Sequence, residues 1–296
     1  MSKDSIEEVK FWRLEIKSDV NIENEVGVDN RISTTKYSLL SWLPVSIMSQ
    51  FRRVANIYFL LISSLMMIGW FAPDVYESPL DPFSTVIPLC FVLLVTSIKE
   101  GFEDLERSRN DKAENNRTVT IVDFDEHGKY QEREILTMDI KAGNIIKLEA
   151  GTMPMQVPVD MVLVLTSNYD DGNQCYIETA NIDGETNLKV REAPASIKSL
   201  IDADGTTNML EFFQGTVDAE PPNKDIHNFV GSLSLDALPE AVPLSVDNIL
   251  LRSSLFTNTE WAYGIAVYTG QDTKVQMNSR MATSKLSTIE KLANWA

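Results

Sequence analysis

The pattern of apolar and polar positions changes character several times along the chain. Residues 1–29 are polar with acidic clusters, Phe11 and Trp12 being their main large apolar residues, and read as a mobile or loosely docked tail. Residues 30–53 mix apolar and basic positions. Pro44 there suits the start of a helix, so this stretch reads as an interfacial lead-in. Two uncharged runs follow, VANIYFLLISSLMMIGWFA over 54–72 and FSTVIPLCFVLLVTSI over 83–98. As helices they would extend roughly 28 Å and roughly 24 Å, against a hydrocarbon core of about 30 Å. The shorter run crosses if Lys99 snorkels or the bilayer thins, and Pro88 should weaken or kink it. The alternative is a helical hairpin buried in a soluble core. Residues 99–117, centred on EGFEDLERSRNDKAENN, are charged and rich in helix formers, which predicts a solvated stalk.

Beyond Arg117 the period shortens to two. Thr118–Phe124, Lys129–Ile135, Asn144–Glu149, Asp160–Thr166 and Gln174–Ala180 are β-branched or alternating runs between turn signals. Residues 192–246 are looser, with helix-compatible stretches and a Pro-Pro pair. Strands resume at Asn248–Phe256 and Trp261–Tyr268. Residues 118–280 therefore predict a compact β domain. Residues 281–296 read as a linker with helical character that leads toward a further element. The expected fold class is mixed membrane and β: a two-span transmembrane helical hairpin plus a cytosolic distorted, jelly-roll-like β domain.

Charge orients the hairpin. Arg52 and Arg53 precede the first run, and Lys99, Arg107, Arg109 and Lys112 follow the second. The loop between them carries Asp74, Glu77 and Asp81 and no base, which places both flanks in the cytosol. The Asn116-Arg117-Thr118 sequon would then face the cytosol and stay unmodified. The opening MSKDSIEEVK lacks the apolar stretch of a secretory signal. A net charge of −17 argues against nucleic acid as a partner. Cys90 and Cys175 read as reduced thiols, and His127 and His227 stand far apart without metal-ligand spacing.

The chemistry-bearing feature is IETANIDGETNLK, Ile177–Lys189. Asp183-Gly184 is a turn dipeptide, because Gly accepts positive φ and Asp can hydrogen-bond the backbone beyond it. It carries Glu185 to a loop tip, where a carboxylate can position water against an electrophile. An ordinary solvated hairpin explains the same residues.

The surrounding blocks bear on that choice. RISTTKYSLLSWLP, QFRRVANIYFLL, SIKEGFEDLERSRNDKAENNR, CYIETANIDGETNLK, EPPN with NFVGSL, PLSVDNILLRSS, WAYGIAVYTGQDTKV and STIEKL occur in order. In these blocks, from about Asn30 to about Leu292, the chain resembles the N-terminal third of the phospholipid-flippase branch of P-type ATPases. Cation pumps usually read TGE-Ser at the turn, so Asp183 points to the lipid branch. The resemblance implies an actuator domain whose DGET loop meets an aspartyl phosphate on a separate phosphorylation domain. Glu185 would orient the hydrolytic water and accept its proton. Asp183, Gly184 and Thr186 would shape the loop and contact the phosphate side. ATP and Mg²⁺ would be bound by phosphorylation and nucleotide domains that this chain does not contain. The implied partners are membrane phospholipid, those domains and an accessory β-subunit.

Three departures bear on specificity. Met66-Met67 stand where many members carry a Gln pair, Ser253 stands where the family often has Gly, and Pro158-Val159-Asp160 replaces Pro-Ala-Asp. With no DKTGT phosphorylation motif, the chain alone is expected to be inactive. A stand-alone membrane-anchored binding or regulatory module derived from such a pump is the alternative reading.

Overall fold

In a computed structural model, residues 11–16, 29–38, 40–74, 76, 81–124, 130–151, 153–204 and 213–280 are described. They fall into two compact units, one built from residues up to Ile32 and from Glu114 onward, the other from Ser33 to Ala113. The expected helix within 281–296 lies outside the described residues.

The Ser33–Ala113 unit is helical. Its elements are α1 (Trp42–Gln50), α2 (Val54–Phe71) and α3 (Phe83–Asn115), the last running unbroken through Pro88. Only 17% of α2 and 11% of the apolar window of α3 are buried, so neither is packed as a core helix among the described residues. Both are long and apolar enough to cross a membrane. The polarity of α1 is reversed. It buries Ser46 and Gln50 and exposes Leu43, Val45 and Met48. The inward face is satisfied by α3: Ser46 Oγ donates to Glu100 at 2.6 Å, and Gln50 Nε2 donates to Ser97 Oγ at 2.9 Å. Gly101 lets α1 close in, since a Cβ there would sit 2.7 Å from the Trp42 indole. Ahead of α1 the chain runs extended along α3. Asp111 accepts the Thr34 amide and hydroxyl, and Asp104 accepts the Lys36 amide.

The second unit is a three-layer antiparallel β structure. Its strands are β1 (Trp12–Ile16), β2 (Thr118–Phe124), β3 (Tyr130–Leu136), β4 (Ile145–Glu149), β5 (Met155–Gln156), β6 (Asp160–Thr166) and β7 (Gln174–Glu178). A one-turn helix α4 (Ala180–Asp183), β8 (Leu188–Glu192) and α5 (Ala195–Asp204) follow. Then come β9 (Gly215–Ala219), β10 (Gly231–Leu235), β11 (Val242–Leu244), β12 (Ile249–Leu250), β13 (Leu255–Thr257), β14 (Trp261–Tyr268) and α6 (Lys274–Arg280). The central sheet has the order β12-β6-β14-β4-β2-β3, flanked by β1-β9-β10-β11 and β5-β13-β7-β8. Strand β6 is buried along its whole length because both of its faces are covered. Val162 and Val164 join the core shared with β1, β9 and β10, while Met161 and Leu163 join the core shared with β7 and β13.

Two expectations need correction. Residues 12–16 are not tail. Trp12, Leu14 and Ile16 alternate with polar residues, and the strand they form pairs with β9 from Trp12↔Ala219 to Ile16↔Gly215. Asn30 is fully buried, donating to the Thr137 carbonyl at 2.8 Å and accepting from the Gly270 amide at 2.7 Å and Arg252 Nη1 at 3.1 Å. The single strand expected over Asn248–Phe256 is instead β12 and β13, which lie in different sheets. The chain crosses between them at Ser253, whose φ of 70° is the left-handed conformation that glycine adopts most easily. The side chain there costs about 1 kcal/mol in backbone strain.

Candidate functional site

The site grows from the end of β7. Thr179 stops the strand, α4 makes a single turn, and Gly184 closes it with φ of 80°, its amide bonded to the Ala180 carbonyl. Nothing lies within 4 Å of where a Gly184 Cβ would stand. Conformation, not space, therefore demands glycine. The chain then passes Glu185 and Thr186, both exposed, before β8 returns alongside β7 in the register Ile177↔Lys189. The expected turn is present, with the helical turn inserted before it.

Asp183 faces inward and organises the loop. Its carboxylate accepts from Thr179 Oγ1 at 2.9 Å, from the Glu185 amide at 2.9 Å and from Lys189 Nζ at 2.6 Å. Partial burial works to raise its pKa. The bonds from Lys189, the Glu185 amide and Thr179 outweigh burial and hold it at about 2. The stability gained from this anion is present above the ordinary carboxylate range and fades as pH falls toward 2. The Glu185 side chain is 59% exposed, against 15% for Asp183, and its Oε2 lies 2.8 Å from the same Lys189 ammonium. The loop thus presents one accessible carboxylate on a backbone fixed by another.

Of the four sequence-derived candidates, Asp183, Gly184 and Glu185 form one hydrogen-bonded unit and Thr186 lies exposed beside it. Thr179 and Lys189 were missed. An i,i+4 spacing foretells contact only on a helix, and the chain from Glu185 to Lys189 is not helical, so Lys189 gave no local signal. No three His, Cys, Asp or Glu side chains gather to hold a metal among the described residues. Asp183 and Glu185 are bridged by a cation of their own, a poor donor set for Mg²⁺.

Comparison with known proteins fits this loop into a longer frame. A family profile described as "Phospholipid-translocating ATPase N-terminal" matches residues 17–85. The "Probable phospholipid-transporting ATPase 11" of Arabidopsis thaliana is 40% identical over 264 residues, 89% of this chain and 20% of that protein. A 264-residue stretch of a 296-residue chain includes Ile177–Lys189 wherever it begins. The chain matches the N-terminal region of flippase-type P-type ATPases. The "Phospholipid-transporting ATPase FetA" of Mus musculus is 38% identical over 266 residues, 90% of this chain and 21% of its own length. The "Phospholipid-transporting ATPase DRS2" of Saccharomyces cerevisiae is 35% identical over 266 residues, 90% and 18% respectively. The chain therefore spans about a fifth of the length of the curated relatives it matches. Its two apolar helices, followed by the antiparallel β unit described above, fit a two-span hairpin with a β actuator domain.

Proposed function

We propose that this chain supplies the first two spans and the actuator of an ATP-driven phospholipid translocase, with the DGET loop promoting hydrolysis of an aspartyl phosphate. The observation that carries the reading is the exposed Glu185 carboxylate, held at a loop tip by Asp183 and Gly184 in a chain that matches such transporters. In the step, a water oxygen attacks phosphorus while Glu185 takes its proton. The phosphorus–oxygen bond to the aspartate breaks, leaving a carboxylate and inorganic phosphate. An acyl phosphate is already activated, so placing the water supplies much of the remaining acceleration. ATP and Mg²⁺ belong, in this reading, to phosphorylation and nucleotide domains outside the chain, where an accessory β-subunit is a further partner.

The test uses the protein expressed with the coding sequence that follows Ala296. Labelled ATP should form a phosphoenzyme whose decay accelerates when one class of phospholipid is added. Decay that responds to ions and to no phospholipid would instead indicate a cation pump. The same reading puts both flanks of the hairpin in the cytosol. A cysteine at Asp74 should then react with an impermeant reagent only from the opposite side; labelling from the cytosol would overturn that orientation.

A further inference from the structure

Strand β8 is set the wrong way round for its composition. Leu188 and Val190 point outward, 45% and 40% exposed, while Lys189 and Arg191 take the more buried positions. A one-residue shift would exchange the two sets, so the register keeps a cation beneath the loop at the expense of two apolar side chains. Lys189 uses that position fully. Its Nζ lies 2.6 Å from Asp183 Oδ2 and 2.8 Å from Glu185 Oε2. Two carboxylates two residues apart at one turn repel each other unless a cation stands between them. Asp183 is anchored independently by Thr179 and by the Glu185 amide, whereas Glu185 is mostly in solvent.

From this geometry we infer that Lys189 is a positioning residue for the dephosphorylation step. It fixes the Glu185 carboxylate at the distance and orientation from which water is activated, and touches neither phosphate nor water. The inference rests on the function proposed above. In Lys189→Met the two carboxylates repel and Glu185 swings into solvent, so the proton acceptor remains but its placement is lost. Lys189→Arg keeps a cation that can bridge both carboxylates.

The experiment measures phosphoenzyme decay in the protein expressed with its downstream coding sequence, for wild type, K189M, K189R, E185Q and the double variant K189M/E185Q. K189M should decay about 10-fold more slowly and K189R within about 3-fold of wild type. In the E185Q background, K189M should change the rate by less than about 2-fold, because its only route of action is already gone. Effects that multiply in the double variant would show that Lys189 acts on the phosphate directly and overturn the inference. So would a normal rate for K189M when E185Q is slow. A normal rate for E185Q overturns the proposed role of Glu185 itself, and the positioning role with it. A K189M protein that fails to fold would leave K189R as the deciding variant: a K189R slowed as much as E185Q rules the bridge out.

Discussion

Glu185→Gln, made in the protein with its downstream coding sequence, should lengthen the lifetime of the phosphoenzyme by about 100-fold or more. Gln has the shape of Glu and can still hydrogen-bond a water, but it cannot take the water's proton. Loss of a positioned general base typically costs 10²- to 10⁴-fold, and 100-fold corresponds to about 2.7 kcal/mol of barrier. Folding should be indifferent to the change. Glu185 is 59% exposed and the Asp183 anchors do not depend on its side chain, so stability should stay within about 0.5 kcal/mol. Phosphoenzyme formation from ATP should proceed, so that labelled protein accumulates. Measured decay as fast as wild type would remove Glu185 from the mechanism.

The second large effect is on stability. Asp160 is completely buried at the start of β6, and its two oxygens accept the amides of Arg252 and Lys274, each at 2.7 Å. It therefore joins the turn after β12 and the start of α6 to the central sheet. Asp160→Ala leaves two buried amides without partners and should cost about 4 kcal/mol. For a domain of this size, that is a fall of roughly 10 °C in Tm. Asp160→Asn retains one acceptor and should lose about half as much. Burial pushes the Asp160 pKa up to about 6, against the bonds from Arg252 and Lys274. Between the ordinary value of 3.8 and about 6 the folded protein holds a proton that the unfolded chain has released. This residue's contribution thus makes stability rise as pH falls through that window, and Asp160→Asn should remove the slope. Thermal melts of wild type and the two variants at pH 4.5 and pH 7 check both statements. A loss below about 1 kcal/mol for Asp160→Ala would mean that the amides find other partners.

Where the chain has one dominant period, the sequence was a reliable guide. Thr118–Phe124, Asp160–Thr166 and Trp261–Tyr268 are strands with the bounds expected. The hairpin was legible from two uncharged runs, although α3 passes through Pro88 without a break. What escaped notice was set by distant partners. The WRLEI alternation at residues 12–16 is brief and surrounded by charge, and only a strand beginning 203 residues later gives it meaning. Strands β9, β10 and β11 hide among Gly, Pro and Ser for the same reason. The break at Ser253 is invisible to propensity, because serine gives no sign of the left-handed turn it adopts. At the loop, DGE announced the turn, but nothing local announced that β8 would turn Lys189 toward it.

The burial of Asn30 sets a clock on biosynthesis. Its Gly270 partner lies 240 residues downstream, so at about 5–20 residues per second the ribosome needs roughly 10 to 50 s to deliver it. For most of that interval the socket that will receive Asn30 is incomplete, since Thr137 comes 107 residues later, Arg252 222 and Gly270 240. A segment made 240 residues ahead of its partner is thus among the last to lock, and a ribosome stalled before Gly270 leaves it without its socket.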